Sequence, residues 1–260
     1  MNENVYQHFK ADERETIDKI GELIAKAQLN YQPILTDFFN PRERFIAQTL
    51  IGSQSEIKMA SFGGYHHADR KRVIFYPNYY QYEKSDFELA LLEIKYPIKF
   101  ANLHHGQILG TLANSGIRRD VIGDIITDGQ NWQVLTETKI SRFLIDQITH
   151  IGKVNVKMEA QSLNLVLNPV NAWEQLTLLT SSLRLDNLVS NAYHISRTRT
   201  KELINNSKVQ VNWTNINKPD YLVDKLDIIS VRGFGRIRLD DVIGQTRKQK
   251  FKVLLSIIKK

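Results

Sequence analysis

Residues 183–211 constrain the fold most strongly, because they carry two helix patterns and a strand pattern in close succession. Four apolar residues at the spacing i, i+3, i+4 and i+7 place one stripe on a helix: Leu185, Leu188, Val189 and Ala192. Ser196 is a good N-cap for a second helix, whose buried side would be Leu203 and Ile204. Residues 209–211 then alternate apolar and polar, as in a half-buried strand. We therefore predict a helix–helix–strand unit.

Cations lie at the start of both predicted helices. They are Arg184 in the first helix and Arg197, Arg199 and Lys201 in the second. Because a helix N-terminus favours anions over cations, this placement indicates an anionic partner. Guanidinium groups bind phosphate oxygens in pairs, and backbone N–H groups at the same helix end can add to such a site. The pattern therefore predicts contact with RNA phosphate.

The net charge of the chain is +7, and the C-terminal part supplies all of it. Residues 183–260 contain 16 Lys and Arg against 7 Asp and Glu, whereas the first 182 residues contain 19 against 21. A basic block confined to one module is the electrostatic signature expected of nucleic-acid binding.

Five segments follow one another in the last third of the chain: Arg184-Leu185-Asp186 with Leu188, Ser196-Arg197-Thr198-Arg199, Leu203-Ile204, Lys208-Val209-Gln210-Val211-Asn212 and Asp227-Ile228-Ile229-Ser230-Val231-Arg232-Gly233. Together they resemble the S-four RNA-binding domain, whose two helices bind structured RNA. The resemblance implies RNA contact for Arg184, Arg197, Thr198, Arg199, Lys201 and Lys208. Three residues stand where this family usually has glycine: Ser207, Trp213 and Leu226. Those glycines allow positive φ in turns. The sequence therefore does not determine the loop geometry at these three positions.

The composition of the 260-residue chain fits two or three small folded domains. Because it contains no cysteine, disulfides, thiol nucleophiles and thiolate metal sites are excluded. Its apolar runs are shorter than the roughly 20 residues of a membrane span, and the first residues lack a signal-peptide pattern. We expect a cytoplasmic protein with no metal, no cofactor and no membrane partner.

Residues 1–80 read as an N-terminal α+β domain of helices and a hairpin. A first amphipathic helix is predicted over 11–30. A second would begin with Asn40 as cap and Pro41 at the first position, and its predicted buried face is Phe45, Ile46, Thr49 and Leu50. Strands are predicted over 58–62 and 72–76. The loop between them contains His66-His67, which we interpret as part of a polar hairpin loop rather than a metal site, as we do His104-His105 at a helix start.

Residues 81–165 follow a β-α-β-β-α-β order. Strands are predicted over 89–96, 121–127, 132–136 and around 154–158, and helices over 103–115 and 140–148. Asp128-Gly129 is a strong signal for a tight hairpin between the central strands. This order predicts a ferredoxin-like domain, which can bind RNA across its sheet, although the aromatic signature of the standard RNA-recognition motif is absent. Arg118 and Arg119 are candidates for RNA-backbone contact, and a solvated basic turn fits them equally well.

A linker is predicted over 166–182, with a short helix over 174–182, before the S-four domain at 183–260. Within that domain Arg236 and Arg238 alternate with two aliphatic residues, so we expect both arginines on one strand face that extends the basic surface. Alternation through residue 255 predicts a final strand that pairs with 236–239. The predicted fold class is therefore α+β throughout.

The whole chain resembles one narrower family. Besides the S-four domain, the resemblance rests on Leu109-Gly110-Thr111-Leu112, Gly116-Ile117-Arg118-Arg119, Ile122-Gly123-Asp124-Ile125 and Ile151-Gly152-Lys153-Val154. These motifs are similar to those of the bacterial YlmH family. That resemblance implies an RNA-binding protein that associates with the large ribosomal subunit carrying a stalled peptidyl-tRNA, in ribosome-associated quality control. A link to cell division also attaches to the family.

Enzymes that carry S-four domains are the competing class. Residues 150–153 superficially resemble a tRNA-synthetase motif, but the final histidine and a nucleotide-binding unit are missing. Neither the glycine-rich turn of a methyltransferase nor a nucleophile, base and orienting group can be assigned. We expect a non-catalytic factor that binds rRNA and tRNA on the large ribosomal subunit and is a monomer away from it. An RNA-modifying enzyme of the pseudouridine synthase or methyltransferase type is the alternative.

Overall fold

The computed structural model describes residue 9 and residues 13–52, 56–169, 173–212 and 214–259. The chain forms two compact units, residues 1–170 and 171–260. Both units combine helices with antiparallel sheets, which confirms the predicted α+β class. Within the described ranges, no helix has the length and apolar character needed to cross a membrane.

The N-terminal part of the first unit is a three-stranded antiparallel sheet, in the order β1-β3-β2, with two helices. Its elements are α1 (Arg14–Asn30), β1 (Ile34–Phe39), α2 (Pro41–Ile51), β2 (Ile57–Phe62) and β3 (Lys71–Pro77). The hairpin of β2 and β3 confirms the two predicted strands, and β1 is a strand that was not predicted. Residues 11 and 12 of the first predicted helix lie outside the described residues.

The start of α2 is capped as predicted. The side chain of Asn40 accepts a hydrogen bond from Glu43 N at 2.9 Å, and Glu43 Oε2 accepts one from Asn40 N at 2.6 Å. The predicted buried face of this helix is wrong at two exposed positions, Phe45 and Thr49. The helix buries an adjacent stripe instead: Pro41, Arg42, Ile46 and Ala47. Packing against α1 and the sheet, which local spacing does not encode, selects the buried side.

The middle part has the predicted ferredoxin-like topology. Its elements are β4 (Leu89–Lys95), α3 (His105–Asn114), β5 (Ile122–Thr127), β6 (Trp132–Glu137), α4 (Thr138–Gln147), β7 (His150–Ile151), β8 (Val154–Asn155) and β9 (Lys157–Gln161). The four-stranded antiparallel sheet has the order β5-β6-β4-β9, so the first and third strands of the motif are central. One prediction is corrected: residues 154–155 belong to a separate hairpin with β7, and the last sheet strand begins at Lys157.

The N-terminal part packs on the sheet face opposite α3 and α4. At Gly64 an added Cβ would come within 2.4 Å of the Leu135 side chain, and at Gly123 one would come within 2.7 Å of Phe38. Glycine at both positions therefore permits close approach of the two parts. The neighbouring residues of β6 that point to the other face, Trp132 and Val134, belong to the core beneath the helices.

The loop between β2 and β3 takes part in this packing. Asp124 Oδ2 accepts hydrogen bonds from Tyr65 Oη and Asp69 N, both at 2.8 Å, and its Oδ1 accepts one from Arg70 N at 3.1 Å. The predicted hairpin connection is confirmed, but much of the loop lies against the middle sheet. His66 and His67 remain exposed, with ring nitrogens 3.3 Å apart.

Residues that follow β9 cover more of the same sheet face. The side-chain amide of Gln133 donates to Leu165 O at 2.9 Å and accepts from Leu167 N at 2.9 Å. Gln133 is buried in consequence. The sheet face through which such domains commonly bind RNA is thus occupied from within the first unit.

Buried charges also join the two parts of this unit. The Arg72 guanidinium lies 3.7 Å from Glu137, and it donates to Thr36 O at 2.8 Å. The Lys139 ammonium group approaches the same carboxylate at 2.7 Å. Burial raises the pKa of Glu137, and the nearby Lys139 and Arg72 oppose that rise.

The C-terminal unit is a six-stranded sheet packed against two helices, in the order β10-β15-β14-β13-β11-β12. Its elements are β10 (Glu174–Thr180), α5 (Leu185–Tyr193), α6 (Arg197–Asn205), β11 (Val209–Val211), β12 (Thr214–Asn215), β13 (Ile228–Val231), β14 (Gly235–Gln245) and β15 (Phe251–Lys259). The final strand pairs with residues 236–239 as predicted. The short helix predicted over 174–182 is wrong, because β10 pairs with β15 along its whole length.

The core of this unit confirms the predicted helix faces. The apolar stripe of α5 is fully buried: Leu185, Leu188, Val189 and Ala192. Leu203 and Ile204 of α6 pack into the same core, together with Ile237 and Leu239 of β14. The two helices therefore cover the sheet face that carries the aliphatic residues of β14.

Candidate nucleic-acid interface

The predicted RNA-contact residues of the C-terminal unit lie on or beside α5 and α6. The first of them, Arg184, is the N-cap residue of α5. Its Nε and Nη2 donate to the two carboxylate oxygens of Asp186 at 3.1 and 3.2 Å. Asp186 is therefore the partner of the arginine at this helix end. The hydrogen bond that Arg184 donates to Asp186 raises the pKa of Arg184, which keeps the guanidinium charged. The pair leaves Arg184 partly exposed and fixed in direction beside the helix end.

Most of the other predicted cations lie in the first half of α6. Ser196 caps the helix, because its Oγ accepts a hydrogen bond from Arg199 N at 3.1 Å. Arg197, Thr198, Arg199 and Lys201 are all exposed, and Lys208 is half-buried just before β11. The Arg199 guanidinium lies 3.0 Å from Glu202, one turn along the helix. The sequence pattern therefore does bring a dense group of cations to one helix end.

A buried amide positions Arg197, and this group was not identified from the sequence. Asn187 Oδ1 accepts from Arg197 Nη2 at 2.8 Å, while Asn187 Nδ2 donates to Thr180 Oγ1 at 2.6 Å and to Ser182 O at 3.1 Å. Asn187 is buried and thus ties α6 to both α5 and the end of β10. The only sequence signal was that Asn187 directly precedes Leu188 and Val189 of the apolar stripe.

The turns at two positions where the family usually has glycine keep a left-handed backbone. Ser207 has φ +54° and Leu226 has φ +69°. A residue with a side chain in this region costs of order 1–3 kcal/mol, which surrounding structure must offset. The turn after α6 is fixed by hydrogen bonds from Ser207 N to Ile204 O and from Lys208 N to Leu203 O, at 3.1 and 2.9 Å. Trp213 lies outside the described residues.

Arg236 and Arg238 do not join this surface. Their strand neighbours Ile237 and Leu239 point into the core under α5 and α6, so the two arginines lie on the opposite sheet face. Arg238 donates to Asp240 at 2.6 Å and its guanidinium lies 5.0 Å from the centre of the Trp173 ring. The expectation that these arginines extend the helical basic surface is therefore wrong.

Arg118 and Arg119 have partners within the first unit. Arg118 is exposed, and its guanidinium lies 2.6 Å from Asp37 and 3.1 Å from Asp120. Arg119 Nη1 donates to the backbone oxygens of Ile122 and Gly123. Arg118 therefore links β1 to the middle part, and Arg119 braces the start of β5.

Among the residues that the structure describes, no group of three or more His, Cys, Asp or Glu side chains is placed to hold a metal ion. The rings of His66 and His67 contact each other, and Lys71 Nζ donates to the backbone oxygen of His66 at 3.4 Å.

Comparison with known proteins agrees with this architecture. Residues 12–80 match the domain described as "YlmH, N-terminal", residues 82–164 match the "Putative RNA-binding domain in YlmH", and residues 183–229 match the "S4 domain". A relative from Bacillus subtilis (strain 168), named ribosome-associated protein quality control protein P2, is 37% identical over 250 residues, covering 96% of this chain and 97% of the relative. The structure of the cell division protein ylmH from Streptococcus pneumoniae is 35% identical, with a TM-score of 0.55, and covers 63% of this chain and 99% of that chain. With its three matched domains in order and this full-length similarity, the chain belongs to the YlmH family.

Proposed function

We propose that this protein is a non-catalytic RNA-binding factor that associates with the ribosome in quality control. The observation that carries the proposal is the group of exposed cations at the start of α6, on a matched S4 domain. The name of the B. subtilis relative supports the ribosomal setting. We place the protein in the cytoplasm, as a monomer when it is away from the ribosome.

The proposed contact uses charge-assisted hydrogen bonds to RNA phosphates. Arg197 is held by Asn187 and Arg199 by Glu202, so both guanidinium groups are oriented before RNA binds. Preorganisation of this kind reduces the entropy lost on binding. Because phosphate oxygens accept paired N–H donors, the two arginines would position the RNA backbone without reading its sequence.

The proposed RNA is rRNA and tRNA of a large ribosomal subunit that still carries peptidyl-tRNA. A second contact through the first unit would raise the overall affinity, since linked weak modules bind with an effective concentration set by their connection. Arg118 contributes to this contact in the proposal, because its guanidinium is exposed although it is ion-paired.

Sedimentation of the tagged protein from cell lysate tests the proposal. We expect wild type to migrate with large subunits and the R197A/R199A variant to remain near the top of the gradient. Wild type that does not migrate with ribosomal particles would contradict the proposal. Mass analysis of RNA nucleosides after incubation with the protein and common cofactors tests the non-catalytic assignment, which a newly modified nucleoside would overturn.

A further inference from the structure

The middle part has one sheet face and one helical face, and its sheet face is occupied. The N-terminal part covers that face through Phe38 and Gly64, and residues 163–167 cover it beside Gln133. An RNA contact by this part must therefore use another surface. The helical side carries a groove between α3, α4 and the β7–β8 hairpin.

The groove is a cavity of about 500 Å³, a volume within the range of small-ligand sites. Its lining mixes polar and apolar groups and comes from all three elements: Thr111, Asn114, Ser115, Phe143, Gln147, Ile148 and His150. Gly152 lies on the hairpin wall and has no side chain to fill the groove at that point. Its φ of +60° is one that glycine adopts readily. The groove therefore combines hydrogen-bonding side chains with the phenyl ring of Phe143.

Phe143 is not among the residues that form the hydrophobic core of the middle part. Leu144 and Ile148 of the same helical segment are buried in that core, whereas Phe143 is 45% exposed and lies on the groove wall. A large aromatic side chain that faces solvent does not gain the free energy that burial of its apolar surface would give. Its ring is available for stacking.

The groups around Phe143 match the chemistry of a nucleobase. An aromatic ring stacks on any base, and the amides of Asn114 and Gln147 present both donors and acceptors to a base edge. Arg142, which precedes Phe143 on α4, and Lys153 at the hairpin turn are exposed cations that would face the phosphates. Asp146 holds Arg142 at 2.9 Å, so a phosphate would compete with that carboxylate for the guanidinium.

We propose that this groove binds one unstacked base of single-stranded RNA, with Phe143 as the stacking platform and Asn114 and Gln147 at the base edge. The inference deepens the proposed function and rests on it, since RNA is the ligand in both. It assigns the RNA contact of the middle part to its helices rather than to its sheet.

Equilibrium binding of the full-length protein to labelled oligoadenylate and to purified large ribosomal subunits tests the proposal. We expect F143A to weaken oligoadenylate binding by about 5- to 150-fold, the effect of losing one stacked base. F143Y should bind like wild type and F143L like F143A, because only the aromatic ring stacks. F100A is the matched control, since Phe100 is 90% exposed on the loop before α3 and lies outside the groove. Thermal unfolding should show that all these variants fold.

The same measurements in the R197A/R199A background separate this inference from the proposed function. If F143A binds both RNAs like wild type while R197A/R199A binds weakly, the groove proposal is overturned and the proposed function stands. Equal losses in F143A and F143Y would also overturn it, because stacking would not be the cause. Wild type that binds neither RNA would overturn both. A further loss when F143A is added to R197A/R199A is the expected result.

Discussion

Replacing Arg197 and Arg199 together by alanine should reduce the salt dependence of RNA binding. Each phosphate contact contributes a slope of about 0.7 to 0.9 in a plot of log affinity against log salt concentration, so two lost contacts lower the slope by about 1.4 to 1.8. Between about 50 and 200 mM salt, the affinity of the variant should therefore fall about tenfold less than that of wild type. Filter binding to purified large subunits over this salt range measures the difference.

The variant should remain folded, so the comparison reports on binding. The exposed Arg199–Glu202 pair contributes only about 0.3–0.5 kcal/mol, and the hydrogen bond from Arg197 to Asn187 about 0.5–1.5 kcal/mol. K225A is a suitable control, because Lys225 is an exposed cation of the same unit that is ion-paired with an acidic side chain, Asp241. E202Q should act in the opposite direction and strengthen binding, since the glutamine amide oxygen can still accept from Arg199 and keep it oriented, while the negative charge that competes with phosphate is removed. A slope unchanged in R197A/R199A would refute the assignment of α6 as the contact surface.

Four further predictions concern stability. N187A should destabilise the C-terminal unit by about 1–3 kcal/mol, because several hydrogen-bonding groups lose a buried partner, and it should weaken RNA binding by releasing Arg197; urea unfolding and filter binding measure the two effects. R72A should destabilise the first unit by about 3–5 kcal/mol, since it removes one of the two cations that face buried Glu137 and leaves the backbone oxygens of Thr36 and Phe87 without their arginine donor, and an unchanged urea midpoint would contradict this. The raised pKa of Glu137 means that its protonation stabilises the native state below the ordinary carboxyl pKa, and that this stability is lost as pH rises through the folded-state pKa. The melting temperature of wild type should therefore fall relative to that of E137Q as pH rises through that window. A difference that stays constant with pH would argue against this. S207G should stabilise the protein by up to about 1 kcal/mol because it relieves a left-handed turn, which a lower melting temperature would disprove.

Sequence patterns correctly predicted the elements whose formation depends on residues close together in the chain. The cap at Ser196 and the stripe from Leu185 to Ala192 depend on residues within a few positions of each other, and the structure has both. The hairpin at Asp128-Gly129 joins β5 and β6 for the same reason. Capping, spacing and turn chemistry act over one or two turns of chain, which is the distance that sequence patterns describe.

Features that depend on distant partners were not predictable in this way. The strand β10 forms because β15, far along the chain, pairs with it, although its alternating leucines at 176 and 178 also fit a strand. Alternation placed Arg236 and Arg238 on one face but could not say that the helices cover the other. The hydrogen bonds around Asn187 and the covering of the middle sheet likewise depend on tertiary contacts. These are the features that decide which cations remain accessible to RNA.

A radical-cleavage reagent tethered at Thr198 gives the most direct test of the proposed RNA-binding surface. Because the natural chain has no cysteine, T198C provides a single attachment point between the two arginines of α6. I243C, at an exposed position of β14, is the matched control. Bound to large subunits that carry peptidyl-tRNA, the T198C conjugate should cleave rRNA or tRNA at a few clustered nucleotides, and the I243C conjugate should not cut there. A bound T198C conjugate that leaves these RNAs intact, or that cuts the same nucleotides as I243C, would contradict the account.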